Sequence, residues 1–201
     1  VGVGLGGMVA LRSAALFPDL VASVITLGAA KSLSEGLRQQ LAFTGQLLRA
    51  DPTFANGDYS PGQGPRRTLK KLRLEHLRRL YSRDYLASTY SDLFSAERHL
   101  EAEADGFAEA FDANCYASLC AAYASADLTE CLAKIAAPVL LITSSSDAIA
   151  PPSRVRDTYH LLTAGGVKAR YYELQSDGGH ATLLTEAARL KGPIADFLSR
   201  L

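Results

Sequence analysis

The chain alternates between short, continuous apolar runs and longer stretches in which apolar residues recur every three or four positions. "GGMVALRSAALFPDL" places Met8, Leu11, Ala15 and Leu16 at helical spacing, and Pro18 ends the run. "VASVITLGAA" is short, β-branched and closed by Gly28, which predicts a buried strand. "APVLLIT" (137–143) is a second continuous apolar strand, running into the loop "SSSDAIAPP". "RDTYHLLTAGG" then reads as a helix stopped by glycines, and "VKARYYELQ" as a further strand leading into "SDGGHATLL". A last helix runs through "PIADFLSRL". Strands alternating with helices predict the α/β class with a mainly parallel sheet.

The middle of the chain has a different pattern. "SEGLRQQLAFTGQLLRA" is an amphipathic helix, "DPTFANGDYSPGQGP" a turn-rich loop and "RRTLKKLRLEHLRRLYSRDYL" a strongly basic helix. One further helical stretch runs through "SAERHLEAEADGFAEAFDANCYASLCAAYASA". No strand pattern interrupts these, so residues 31–127 are expected to form a helical insertion, or lid. The α/β core is then made of residues 1–30 and 128–201.

Bulk properties narrow the class without choosing a function. The 201 residues, 48% hydrophobic and 21% charged, suit one globular domain of ordinary size or one domain with an insertion. The formal net charge of +0 draws the chain neither to nucleic acid nor to an anionic membrane. No apolar run approaches the ~20 residues that span a bilayer. The three cysteines contain no C-x-x-C pair, and Cys115 and Cys120 lie among small and apolar residues. Buried free thiols, no metal site and a reducing, cytoplasmic setting are the expectation. The chain opens at Val1, already inside a glycine motif and with no initiator Met. That predicts a fragment or processed piece, holding at most Val1 of the strand before the motif. Alone it would be aggregation-prone through an unpaired strand edge.

The opening "VGVGLGG" admits two chemistries. Gly2, Gly4 and Gly7 fit G-x-G-x-x-G, the turn that cradles a dinucleotide pyrophosphate. That fold needs an acid about 20 residues on, at the end of the second strand, and "ITLGAAKS" has none there. The same residues fit G-x-S-x-G-G, a nucleophile elbow, with Gly4 at the serine position. An elbow requires an acid and then a histidine, each in a loop after a strand, and Asp147 and His180 stand in those places. Either alone would read as a loop turn-former or a surface histidine. Together, in that order, they favour a triad lacking its nucleophile.

With "GVGLGGM", "DPTFANGDY", "FDANCY", "SSSDAIAPP" and "DGGHATLL" in view, nearly the whole chain resembles the homoserine O-acetyltransferase family. The resemblance implies the C-terminal part of an α/β-hydrolase fold with an inserted helical lid. It also implies a serine that carries acetyl from acetyl-CoA to the hydroxyl of L-homoserine, with other donors and alcohols among relatives. Acetyl-CoA would be a cosubstrate, with no bound cofactor. The partners would be small molecules, with a homodimer through the lid as a further expectation. Asp147 then corresponds to the triad acid, His180 to the general base, and the N–H of Leu5 to an oxyanion donor. Arg73 corresponds to the arginine that grips the substrate carboxylate, though one more charge on a basic helix explains it as well. Arg66, Arg67, Lys70, Lys71, Arg78 and Arg79 face the same choice between coenzyme A phosphates and a solvated helix face, and the second is favoured.

Three departures bear on activity. Gly4 replaces the serine, and Ala181 replaces an aspartate next to the catalytic histidine. Cys120, Ala121 and Ala124 stand where the family carries a threonine, an arginine and an aspartate. Removing the nucleophile of a subtilisin-type protease costs about 10⁶ in kcat, roughly 8 kcal/mol of barrier. The expectation is therefore an acyltransferase-like protein that is impaired or inactive. The other class is a catalytically dead paralogue that binds a ligand or partner. Ser176 and Ser144–Ser146 are hydroxyls near the expected site, but none sits on an elbow.

Overall fold

The computed structural model describes residues 1–60 and 62–201, which divide into two compact units. The first comprises Val1–Leu33, Leu80–Ser82 and Ala126–Leu201; the second comprises Ser34–Arg79 and Arg83–Ser125.

Unit one is built on four parallel strands in the order β1 (Gly2–Val3), β2 (Val24–Leu27), β3 (Val139–Ser144) and β4 (Ala169–Leu174). β2 and β3 are buried at every position, as parallel strands covered on both faces must be. Ile25, Leu27, Leu140, Ile142 and Leu174 form one core layer with Leu183, Leu190 and Phe197 from the C-terminal segment. β1 extends beyond the single residue expected: Gly2 and Val3 reach Thr26 and Leu27 in register before the chain turns.

Helix α1 (Leu5–Leu16) follows β1 and buries Gly7, Met8, Leu11, Ala14 and Ala15. That stripe differs from the expected one, because Leu16 is 57% exposed. The sheet-facing direction is centred between Leu11 and Ala14–Ala15, and one further residue turns about 100° away from it. Gly7 lets α1 approach β2 and the chain just past it, since a Cβ there would lie 3.3 Å from the Thr26 Cβ and 2.6 Å from the Ala29 Cβ. Among the described residues no helix is long and apolar enough to cross a membrane.

Unit two is helical: α2 (Glu35–Ala50), α3 (Arg66–Leu80), α4 (Arg83–Thr89), α5 (Leu93–Ala110) and α6 (Ala113–Ser125). Leu80, the last residue of α3, belongs to unit one. Both long helices expected from the sequence are broken. The basic one stops at Tyr81–Ser82, where the chain joins unit one. The other stops at Phe111–Asp112, where the Asp112 carboxylate accepts the Cys115 N–H at 2.8 Å and starts α6. Ser34 caps α2 and Asp92 caps α5 in the same way.

Two sequence signatures meet in unit two. The Tyr59 hydroxyl donates to Asp112 at 2.7 Å and accepts the Asn114 N–H at 3.0 Å, while the Asn114 amide donates to the Gly57 carbonyl at 2.9 Å. Gly57 is at φ 91°, and a Cβ there would lie 2.7 Å from Asn114 Oδ1. "DPTFANGDY" and "FDANCY" thus form one hydrogen-bonded knot. The N–H of Asn114 and the cap of α6 are satisfied by it.

The cysteines divide. Cys120 is buried on the stripe of Ala113, Tyr116 and Ala117, and burial pushes its thiol up to about 11. Cys115 is exposed, contrary to expectation. It sits in the first turn of α6 off that stripe, so small apolar neighbours in sequence do not cover it.

Candidate active site

β1 and β2 end level with each other, β3 and β4 run two residues further, and the loops beyond the strands hold the candidate residues. The ladder continues past the strands as Gly4 N–H to Leu27 O (2.9 Å), Gly28 N–H to Ile142 O (2.8 Å) and Ser145 N–H to Leu174 O (2.9 Å). Gly4 and Gly28 are therefore neighbours at the carboxyl edge, with Ser145 two residues further along β3, and this edge is where α/β sheets gather their chemistry.

Asp147 follows β3 and His180 follows β4, and the structure joins them. His180 Nδ1 lies 2.7 Å from Asp147 Oδ2, with the residues 8% and 3% exposed. The other oxygen, Oδ1, accepts the N–H groups of Ile149 and Ala150, both at 2.8 Å. An ionised carboxylate with these partners accepts, so Nδ1 is the protonated nitrogen of the neutral imidazole and Nε2 the one with the lone pair. This is the tautomer that general-base catalysis requires.

Two glycines make room for the histidine. Gly28 is at φ 60°, and a Cβ there would lie 2.5 Å from His180 Cε1 and 2.6 Å from Leu183 Cδ1. Because Gly28 succeeds β2 and pairs alongside Gly4, the imidazole sits at the elbow's edge of the sheet. Gly179, at φ 75°, lets the histidine loop press on Leu80–Ser82: its Cβ would lie 2.6 Å from the Leu80 carbonyl oxygen. Neither role is visible in sequence, because each depends on a partner far along the chain.

The serines between the two loops act as a clamp. Ser146 Oγ donates to the Ser176 carbonyl at 2.6 Å and accepts the Gly179 N–H at 2.9 Å. Ser145 Oγ donates to the same carbonyl and accepts the Ser176 N–H, each at 3.0 Å. Ser176 Oγ donates to Glu186 at 2.7 Å, and that bond, with Arg189, holds the Glu186 carboxyl below its ordinary range. These hydroxyls fix the acid loop to the histidine loop. Their engagement argues against a displaced serine nucleophile.

Gly4 occupies the turn itself, buried at φ 52°, ψ −120°. Its carbonyl accepts from Gly7 N–H and Met8 N–H, so α1 starts immediately. The turn is tight: a Cβ at Gly2 would lie 2.1 Å from the Gly6 carbonyl oxygen. A residue with a side chain at such a φ carries on the order of 1–3 kcal/mol of strain, which glycine escapes. Leu5 is the first residue of α1, and its N–H is one of the helix's open N-terminal donors.

Arg73 lies in unit two, on α3. Its guanidinium pairs with Glu103 at 3.2 Å and covers the Phe107 ring at 4.5 Å, while its Nε is buried without a partner. The basic helix is matched by acids of α5: Arg66 with Asp105 and Glu109, Lys70 with Asp105, Arg78 with Glu97. Ala181, beside the histidine, is buried. Among the described residues no group of three or more His, Cys, Asp or Glu gathers as metal ligands.

The fold and the sequence have counterparts in known proteins. The chain is 30% identical to a serine O-succinyltransferase of Litchfieldella anticariensis, over 98% of this chain and 60% of that protein. It is 26% identical to a homoserine O-acetyltransferase of Methanococcus vannielii, over 99% of this chain and 44% of that one. The solved homoserine O-acetyltransferase of Bacillus anthracis superposes with a TM-score of 0.87 at 22% identity, covering 98% of this chain and 58% of that one. The chain thus spans roughly half the length of the relatives it matches, and its likeness to homoserine O-acyltransferases runs along nearly all of it. The family described as "alpha/beta hydrolase fold" matches residues 1–187, and the chain belongs to it.

Proposed function

We propose that this is a homoserine O-acyltransferase-like protein that retains its acid–base pair but cannot form the acyl-enzyme. The observation that carries the reading is the buried 2.7 Å contact between His180 Nδ1 and Asp147 Oδ2, beside a turn whose nucleophile position is Gly4. In this reading the donor is acetyl-CoA or a related acyl thioester, and the acceptor is the hydroxyl of L-homoserine or a similar amino acid or alcohol. Asp147 orients His180, Nε2 serves as the base, and the Leu5 N–H faces the developing oxyanion. The setting is cytoplasmic, in the supply of esters for amino-acid synthesis. Loss of the serine removes about 10⁶ in rate from the double-displacement route.

Incubation with acetyl-CoA followed by mass spectrometry tests this. The protein as it stands should acquire no acetyl group in the elbow, and Gly4→Ser should acquire one at residue 4 that depends on His180. A covalent acetyl group on the unchanged protein, lost in His180→Ala, would overturn the reading. A second reading, a silent paralogue that binds a ligand or partner, is favoured by Ala181, Cys120, Ala121 and Ala124. These replace polar family positions beyond the elbow itself. Failure of Gly4→Ser to acetylate would select it.

A further inference from the structure

The acid–base pair is held in working geometry at a turn that has no hydroxyl to offer it. Asp147 fixes the proton on Nδ1, Gly28 clears the space the imidazole occupies, and the Ser145–Ser146–Ser176 clamp ties the two loops together. A base so prepared needs a proton donor at Nε2. Gly4 supplies none, and the nearby hydroxyls of Ser145, Ser146, Ser176 and Thr182 are engaged in the clamp. None of these groups is free to donate, which leaves room for a hydroxyl from outside the protein.

We infer that the site transfers an acyl group in a single step, from an acyl thioester directly to an external hydroxyl seated over Gly4. The inference rests on the reading above, that Asp147 and His180 face an emptied elbow, and adds to it a route without a covalent intermediate. The elbow geometry at Gly4 persists without a side chain, so an alcohol or water oxygen can take the place a seryl oxygen would hold. The hydroxyl oxygen forms a bond to the thioester carbonyl carbon as its proton passes to His180 Nε2. The tetrahedral oxyanion faces the Leu5 N–H at the start of α1. The carbon–sulfur bond then breaks, and the proton moves from His180 to the departing thiolate. An alcohol yields its ester and water yields the free acid, with the free thiol released in both cases. Positioning and general-base assistance carry the rate, and the base alone is worth 10²–10⁴-fold.

Initial rates of thiol release from acetyl-CoA, with L-homoserine varied, test the inference on the protein as it stands. Without an acceptor alcohol, acetate release above the uncatalysed rate identifies water as the hydroxyl. With L-homoserine, a set of intersecting rate lines and the acetyl ester identify the alcohol. Either result supports single-step transfer if no acetyl-enzyme is trapped and His180→Ala lowers the rate about 10²–10⁴-fold. Gly4→Ala puts a methyl carbon within a bond length of the place the hydroxyl oxygen would take, too close for both. It should cost about 10²-fold while leaving the circular dichroism spectrum unchanged, which separates blockage from unfolding. Two outcomes overturn the inference. If the unchanged protein is silent while Gly4→Ser turns over with parallel lines and an acetyl-enzyme, single-step transfer fails and the functional reading survives. If turnover is indifferent to His180→Ala, both fail.

Discussion

The corner joining Asp147 to His180 and the knot joining Tyr59, Asp112 and Asn114 are built by the same device. In each, a carboxylate accepts backbone N–H from its own stretch of chain, two groups for Asp147 and one for Asp112, and one side-chain donor from a distant loop. In each, a glycine at positive φ lets the partner come close. They differ in burial and in what is left over. The Asp147 side chain is fully buried, and its partner keeps a ring nitrogen free for chemistry. Asp112 is exposed, and the Tyr59 hydroxyl is consumed as both donor and acceptor. Two equally specific sequence signatures can therefore share one construction and differ in what each leaves unbonded. Residual bonding capacity in a dry place separates them.

The comparison breaks most visibly at the acid. Asp147→Ala leaves two backbone N–H groups and His180 without their acceptor in a buried site, and should destabilise the protein by about 3–5 kcal/mol in urea unfolding. A cost under ~1 kcal/mol would mean the corner is no more demanding than a surface cap. Gly28→Ala comes next. Its methyl would press on both His180 and Leu183 at a positive φ, for about 1–3 kcal/mol and a displaced imidazole, visible as a shifted His180 NMR resonance. In the knot, Asn114→Ala removes the bond to Gly57 but leaves the Asn114 N–H in place, so a loss near 1 kcal/mol is expected in the same unfolding assay.

The smallest effect is that of pH. Hydrogen bonds from Tyr59 and the Cys115 N–H hold Asp112 below its ordinary 3.8, so its contribution is present above about pH 4 and fades as pH falls through the lowered value. Desolvation and the bond to Asp112 raise Tyr59 above 10.0, so its contribution is complete below that pH and fades above it. The knot should loosen at both ends of the range, and Asp112→Asn should flatten the acid limb. An acid limb unchanged by that substitution would show that the knot does not depend on the charge.

The alternation of strand and helix, and the positions of Asp147 and His180 after β3 and β4, were legible because they depend on local periodicity and chain order. Leu16, expected on the buried stripe, lies outside it because the five buried residues of α1 centre on Leu11 and Ala14–Ala15, which outweighs simple hydrophobicity. The two helix breaks were hidden because each is made by a tertiary contact: the join of Leu80–Ser82 to unit one, and the capping of α6 by Asp112. Cys115 was misjudged for a related reason, since composition says nothing about which way a first-turn residue points. Gly28 read as a strand stop, and only the histidine from the far end of the chain reveals why no side chain fits there.

The join at Leu80–Ser82 also alters the loop arithmetic of the chain. Without it, the helical unit would be one uninterrupted excursion leaving the core after Leu33 and returning at Ala126. With it, the excursion becomes two of nearly equal length, Ser34–Arg79 and Arg83–Ser125. Closure entropy grows only with the logarithm of loop length, so the extra anchor costs chain entropy and must be offset where it lands. It lands on Gly179, whose missing Cβ admits the Leu80 carbonyl, and on the Ser82 hydroxyl, which donates to the Asp177 carbonyl. Residue 179 and the 80–82 segment are thus bound to vary together. A side chain gained at Gly179 would release the midpoint of the helical unit as well as shift the histidine beside it.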